Sequence, residues 1–289
     1  MKRKLMRTAM MVNFHFSERV LAFALSVLTA VPLCGQQSMV GAMPQQGEVV
    51  GNVSLGVGKA LTLEEYLSPR PYSGFQYVVS NDRLSCHGTD RLFQYRRSHY
   101  SLQYSVMQDD NGSGSQMHAK LDAFYGWGHT IVSTQADDLM IGPAAMLSIS
   151  GLYNRRNSNN PATADGYAAL GFMADNTLRF RIAGYPMAFQ ATLYLPLAGI
   201  GYAPDYDQLY WIMYKNSQYG RTLHFVCPLN SPAFCQDLAL SVPAGRNQVR
   251  VAFNVDYMSN RLGGKNTRLS HSSFMVGLTH RFERKYNGR

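Results

Sequence analysis

Apolar and polar side chains alternate at a period of two over stretches longer than an ordinary strand, and no other feature of the chain narrows its fold as far. From Val249 to Tyr257, the residues Val249, Val251, Phe253, Val255 and Tyr257 share one face, while Arg250, Ala252, Asn254 and Asp256 share the other. From Ser98 to Met107, Tyr100, Leu102, Tyr104 and Val106 oppose His99, Ser101, Gln103 and Ser105. From Phe274 to Phe282, Phe274, Val276, Leu278 and Phe282 align, interrupted only by His280. Successive strand residues point to opposite faces, whereas a helix would need a period of 3.6. Strands of soluble proteins run to about five or six residues. A strand that crosses a bilayer needs roughly 9–11.

Further strands are expected near 75–80, 117–127, 139–153, 167–173, 178–184, 189–202, 209–214, 221–226 and 238–242. Turn chemistry separates many of them: DDNGSGS (109–115), NRRNSNNPATAD (154–165), KNSQ (215–218), PAGRN (243–247) and NRLGGKNTR (260–268). About 12 strands result, within a range of 10–14. Past the first 42 residues no stretch approaches 18 consecutive apolar residues, so no transmembrane helix is expected. In hydrocarbon every backbone N–H and C=O must be paired within the protein, which only helices and closed barrels achieve. An all-β, antiparallel transmembrane barrel is the fold expected. A soluble β-sandwich is its competitor.

The polar faces carry Lys120, Asp122, Arg179, Arg181, Arg250, Asp256 and Arg281. In a barrel these alternate positions face water in the lumen. Facing lipid at mid-depth, an arginine costs roughly 2–4 kcal/mol. Charged residues are only 16% of the chain, against an ordinary quarter. Aromatic rings suited to membrane interfaces flank the candidate strands at Tyr100, Tyr104, Phe124, Tyr125, Trp127, Tyr202, Tyr210, Trp211, Tyr214, Tyr257, Phe274 and Phe282.

The chain begins with the positive cluster Lys2, Arg3, Lys4 and Arg7, followed by an apolar stretch from Val20 to Cys34 and an A-x-A-like site at Val40-Gly41-Ala42. Residues 1–42 therefore read as a secretory signal peptide, residues 43–68 as an irregular N-terminal segment rich in glycine, and residues 69–289 as one barrel domain. Without the leader, 22 basic and 17 acidic side chains leave a net charge of +5. That mild excess gives no reason to expect nucleic acid as a partner.

The residues offer little catalytic chemistry. Asp109 to Ser115 has the flavour of a calcium loop, but the twelfth position, where a bidentate Glu belongs, is Lys120, so a hairpin turn is expected. His271 and Ser273 share a strand face but stand about 6.6 Å apart along it, too far for a base to reach its nucleophile. Ser148 and Ser150 sit on a candidate strand with no histidine assigned to them. Histidines 87, 99, 118, 129, 224, 271 and 280 are scattered, without metal-ligand spacing. No catalytic residue, metal or cofactor is assigned. In an exported protein Cys227 and Cys235, bracketing PLNSPAF, are a possible disulfide, with two separate thiols as the alternative. Arg179, Arg181, Arg250 and Arg281 are candidates to line the lumen. Free, they would favour anions. Paired with Asp122, Asp256 and similar carboxylates, they would fill it.

Three segments resemble an uncharacterised family of Bacteroidetes outer-membrane β-barrels, a domain of unknown function: EEYLSPRPYSGFQYVVSNDRL (64–84), HFVCPLNSPAFCQDLAL (224–240) and HSSFMVGLTHRF (271–282). The last also resembles the terminal strand of bacterial outer-membrane barrels, with apolar alternation closed by an aromatic, although ERKYNGR (283–289) continues past Phe282. The resemblance implies residence in the cell outer membrane, contact with outer-membrane lipid and lipopolysaccharide, and recognition of strand 272–282 by the barrel-assembly machinery. It implies no activity. A structural or transport-type barrel is the reading adopted. A lipid-hydrolysing barrel, or a binding module built on loops 154–165 and 258–268, are the alternatives.

Overall fold

A computed structural model describes residues 40–88, 91–156, 161–206, 215–217 and 219–283. The strands are β1 (Glu48–Glu64), β2 (Ser68–Cys86), β3 (Tyr95–Asp109), β4 (Ser115–Ser133), β5 (Asp137–Asn154), β6 (Ala162–Ile182), β7 (Tyr185–Tyr202), β8 (Leu223–Val226), β9 (Ala233–Ala244), β10 (Asn247–Leu262) and β11 (Lys265–Glu283). Each is antiparallel to its neighbours. Ten of them close a ring in which β1 is followed in turn by β2 through β7, then β9, β10 and β11, which returns to β1. The closing pair runs from Glu48 opposite Glu283 to Glu64 opposite Thr267. Closure leaves the ring without a free edge strand; along one side of β7, Leu195 to Ala198 fall between the stretch that β9 holds (Ala188 to Tyr194) and the stretch that β8 holds (Gly199 to Tyr202). The short β8 pairs with β7 alone.

The barrel is inverted relative to a soluble protein. Val53, Leu55, Phe75, Tyr77, Val79, Leu102, Leu121, Ile149, Phe274 and Leu278 stand exposed on its outer face. Their inward neighbours include buried Asn52, Ser54, Gln76, Asp82, Ser101, Gln103, Lys120, Asp122, Arg250 and His271. The three alternating segments keep the faces read from sequence. Outer-face rings pair across strands, with Phe253 and Phe274 4.8 Å apart and Phe234 and Tyr257 5.7 Å apart. Phe124 departs from the expected interface aromatics. It points inward, against His99 and Tyr194, and leaves the outer face to Tyr125 and Trp127. Two adjacent strand residues cannot share a face. Tyr210, Trp211 and Tyr214, with the expected strand 209–214, lie outside the described residues.

Several boundaries differ from the sequence reading. The segment 43–68 is not irregular, because it contains β1, paired on both edges. Its inward Gly56 and Gly58 let β1 and β11 approach closely: a Cβ at Gly58 would lie 1.9 Å from the Ser272 carbonyl oxygen. The segments 167–173 and 178–184 belong to one strand, β6, running through ADNT with Asp175 and Thr177 turned inward. Residues 258–268 form no long loop. β10 and β11 meet at Gly263-Gly264, both with positive φ (59° and 71°), as a two-residue hairpin requires. The loop at 154–165 shrinks to 155–161.

One end of the barrel gathers the beginning of β1 and the end of β11, along with the tight connections Thr134–Ala136, Ala183–Gly184 and Gly245–Arg246 and the longer connection 87–94. The other end carries the longest span between two ring strands, 203–232, which includes β8. We call these the terminal end and the loop end. The leader expected over 1–42 lies outside the described residues as far as 39. Residues 40–42 are built into the terminal mouth: Val40 is buried, Arg179 donates to the Gly41 carbonyl (3.3 Å) and Arg281 to the Ala42 carbonyl (2.5 Å).

Candidate functional site: the charge-paired interior

The interior-facing positions of the ring build three layers of ionic side chains. In the layer nearest the terminal end, Arg97 of β3 donates to Asp175 of β6 at 2.5 Å, and Thr192 of β7 donates to the same carboxylate at 2.6 Å. Arg250 of β10 reaches Asp237 of β9 at 2.5 Å. Asp82 of β2 stands between them, 3.6 Å from Arg97, 3.7 Å from Arg250 and 2.9 Å from His99 Nδ1.

In the middle layer, Lys120 Nζ lies 3.0 Å from Asp122 and in direct contact with Asp256. The Gln103 amide donates to Asp122 (3.2 Å) and Asp256 (3.1 Å). Its carbonyl oxygen accepts from Gln76 (3.0 Å) and from His271 Nδ1 (2.8 Å). That assignment makes Nδ1 the protonated nitrogen of His271. The His118 ring packs beside His271, centroids 4.9 Å apart. Toward the loop end, Lys265 of β11 binds Glu64 of β1 (2.7 Å) and Asp165 of β6 (3.3 Å), with Thr267 donating to Glu64 (2.6 Å).

These contacts cross the barrel. β4 and β10 stand five places apart in a ring of ten, so the Lys120–Asp256 contact joins opposite walls. Apolar side chains fill much of the remaining interior. Met107, Leu152, Met258 and Leu269 pack toward the loop end; Phe124, Met140, Met146, Met173 and Tyr194 pack toward the terminal end. Unbranched methionines suit such irregular space. A pair so desolvated is screened little by salt, so each ion needs its partner in place.

The four arginines expected to line the lumen part company. Only Arg250 lies in the interior, and it is paired. Arg179 binds Asp138 at the terminal mouth and Arg281 binds Glu48 there (2.8 Å). Arg181 is exposed beside the Ala183–Gly184 turn. The expected pairing of arginine with Asp122 and Asp256 is corrected, because Lys120 holds both. Within the three layers, four cations (Arg97, Lys120, Arg250, Lys265) face seven carboxylates (Glu64, Asp82, Asp122, Asp165, Asp175, Asp237, Asp256). That balance does not make an anion-attracting lumen. Arg97, Lys265, Glu64 and Asp165 were missed in the sequence because each sits near a strand end, where the alternation blurs into turn composition.

Cys227 and Cys235 form no disulfide in the structure. Cys235 faces the interior, near the Asn254 amide (3.7 Å), while Cys227 begins a turn in the wall. Asp109 closes its hairpin as expected of a turn, its carboxylate accepting from the Ser113 and Gly114 amides (2.7 and 3.0 Å). His271 gives its Nδ1 proton to Gln103 rather than to a serine, and Ser150 donates to the Asp165 carbonyl (3.4 Å). Among the described residues no three His, Cys, Asp or Glu side chains group as metal ligands.

A closed ring of long antiparallel strands, apolar outside and ionic within, defines a β-barrel of the outer-membrane type. The chain belongs to the family described as Protein of unknown function (DUF3316), whose match spans residues 21–288. No curated protein matches it. Among solved structures, the outer membrane protease OmpT from Escherichia coli is similar with a TM-score of 0.50 at 8% identity, over 85% of this chain and 100% of that one. The translocator domain of the autotransporter NalP from Neisseria meningitidis gives 0.40 at 10% identity, over 92% and 96%. An outer membrane channel from Pseudomonas putida F1 gives 0.36 at 10% identity, over 86% and 100%. At such identities the likeness to OmpT is one of fold alone.

Proposed function

We propose that this protein is a closed outer-membrane barrel that conducts no ions through its lumen and meets its partners at the loop end and on its lipid-facing wall. The carrying observation is the Lys120–Asp256 contact between opposite strands, with Asp122 and Gln103 completing the layer. Any path along the axis must break that layer. Purified protein reconstituted in planar bilayers is expected to show no conductance above that of the lipid. A steady single-channel current, of either selectivity, refutes the proposal.

The same reading places the terminal end in the periplasm and the 203–232 connection outside, because outer-membrane barrels carry short turns on the periplasmic side and longer loops on the other. Outer-membrane lipid and lipopolysaccharide would surround the apolar belt, and the barrel-assembly machinery would take up strand 272–282. A Bacteroidetes source follows from the resemblance of the three segments alone. The burial of Val40 supports signal cleavage ahead of that residue rather than after Ala42. N-terminal sequencing of the exported protein tests this, and a mature chain that starts at Met43 refutes it.

A further inference from the structure

The lipid-facing wall changes character over one sector, where β10, β11 and β1 run side by side toward the loop end. Strand register orders the outward side chains into rows that cross the wall. The row Tyr104, Tyr77, Val57, Phe274, Phe253 is apolar or aromatic throughout. The next row toward the loop end reads Val106, Phe75, Lys59, Ser272, Val255, which sets a lysine among apolar neighbours. In the row after that Ser270 stands between Leu61 and Tyr257, and then Arg268 stands between Leu63 and Ser259. Arg261 faces Asn266 at the rim. The outward positions Asn266, Arg268, Ser270 and Ser272 of β11 are thus all polar. On β3 and β5, by contrast, exposed apolar side chains continue to Val106 and Tyr153, close to the strand ends.

Lys59, Arg261 and Arg268 all stand exposed in this sector. The ion pairs among the described residues involve none of the three. The interior cations Arg97, Lys120, Arg250 and Lys265 are all paired, so the chain leaves its charge uncompensated here, on the outside. Because Ser259 faces Arg268 and Arg261 faces Asn266, the two arginines are diagonal neighbours on one face, roughly 7–8 Å apart at the backbone. They share a cleft of about 260 Å³ with Leu63, Glu65, Ser259 and Asn266. Glu65, the acid of that cleft, is engaged by the Asn266 amide (2.7 Å) and side chain (2.9 Å). Two guanidinium forks at this spacing can converge on one oxyanion, and the planar fork matches phosphate oxygens two at a time.

The place of the cleft on the wall says what would fill it. A cation on the lipid face is tolerated near the interface and not at mid-depth, and a lysine just inside the belt turns its ammonium toward that interface. The arginines therefore lie at headgroup level, directly above a row that meets hydrocarbon. An amphiphile with phosphate above and acyl chains below matches both levels at once. With the loop end facing outward, the leaflet in question is the outer one, whose phosphate-bearing lipid is lipopolysaccharide.

We propose that Arg261 and Arg268, with Lys59 beneath them, form a site on the outer wall for a phosphate of the lipid A part of lipopolysaccharide, whose acyl chains lie against the Val57–Phe274 row. The site rests on the outward orientation of the loop end proposed above. The full mature protein in detergent micelles is titrated with bisphosphorylated lipid A, with the same lipid A dephosphorylated, and with inorganic phosphate, and bound lipid is counted by native mass spectrometry. The double variant Arg261→Gln/Arg268→Gln is expected to bind lipid A roughly tenfold or more weakly than the parent. Dephosphorylated lipid A should bind the parent as weakly, and an excess of inorganic phosphate should leave lipid A bound. Arg83→Gln, which removes an exposed outer-wall cation near the terminal end, should leave the affinity unchanged. Undiminished binding by the folded double variant overturns the site. So does equal binding of dephosphorylated lipid A, which the parent alone reports, or an equal loss in Arg83→Gln. Displacement by inorganic phosphate would show a site for small anions and overturn the lipid. Orientation is checked separately by labelling Asp110→Cys, in the exposed β3–β4 turn, on intact cells with an impermeant maleimide. No labelling above the parent's overturns the outward loop end and lipopolysaccharide with it, whereas labelling without selective binding overturns the site alone.

Discussion

Replacing Lys120 by Met tests whether the interior is dry and closed. The Lys120 side chain is 3% exposed and Asp122 1%, and their charged atoms lie 3.0 Å apart. At an effective dielectric near 20, the attraction across 3.0 Å is about 5 kcal/mol, much of it offset by the desolvation of both ions. Truncation leaves Asp122 and Asp256 buried without their cation, a situation that costs roughly 3–5 kcal/mol. The methionine keeps most of the side-chain volume, so the cavity contribution is small. In a wide, hydrated lumen the same pair would be screened and its loss would cost at most about 1 kcal/mol. Urea titration of the barrel in phospholipid vesicles, followed by Trp fluorescence and by the heat-dependent gel shift of folded barrels, distinguishes the two. Combining Lys120→Met with Asp122→Asn and Asp256→Asn is expected to recover a large part of the loss, because no uncompensated ion then remains. A loss under about 1 kcal/mol for the single variant refutes the closed interior and, with it, the lack of conductance.

Three other outcomes follow from the wall and its turns. Leu55→Arg, at a strongly exposed position in the middle of β1, is expected to cost roughly 2–4 kcal/mol in bilayers and little in a water-filled position; equal stability of variant and parent in vesicle refolding would show that this face does not meet lipid. Gly58→Val drives a side chain into the Ser272 carbonyl, so the β1–β11 closure should fail and the heat-resistant folded band should disappear from gels. At the loop end, the Glu65 carboxylate accepts from the Asn266 amide (2.7 Å) and side chain (2.9 Å), which holds its pKa below the ordinary range. A depressed carboxylate contributes its stability above the unfolded value, about 4.3, and loses it as pH falls through the lower folded value. Hydrogen exchange at Asn266, corrected for intrinsic rate, should therefore show protection that is steady above about pH 5 and declines below pH 4; protection independent of pH down to 3 would remove Glu65 from that role.

The faces of most strands were legible from residue order, because a strand sends neighbours to opposite sides whatever surrounds it. Val249 to Tyr257 and Ser98 to Met107 keep their expected faces for that reason. The all-β class and the membrane setting follow from the same local rule, repeated over strands too long for a soluble sheet. Where two adjacent residues were both aromatic, as at Phe124-Tyr125, the rule did not say which faced out. Gly51, Gly56 and Gly58 hid β1, since glycine signals a turn in sequence and a close strand approach in the closed ring. The two possible fates of Cys227 and Cys235 could not be separated either.

Ring closure decided the rest. That Lys120 meets Asp256, 136 positions away, depends on β4 and β10 standing opposite each other. That in turn depends on the number of strands and on the register with which β11 returns to β1. No local propensity encodes either quantity, because both are set by summing every hairpin around the circumference. The break in the ladder along β7, between Tyr194, the last residue that β9 holds, and Gly199, the first that β8 holds, has the same origin, since it exists only once β8 and β9 share one side of that strand.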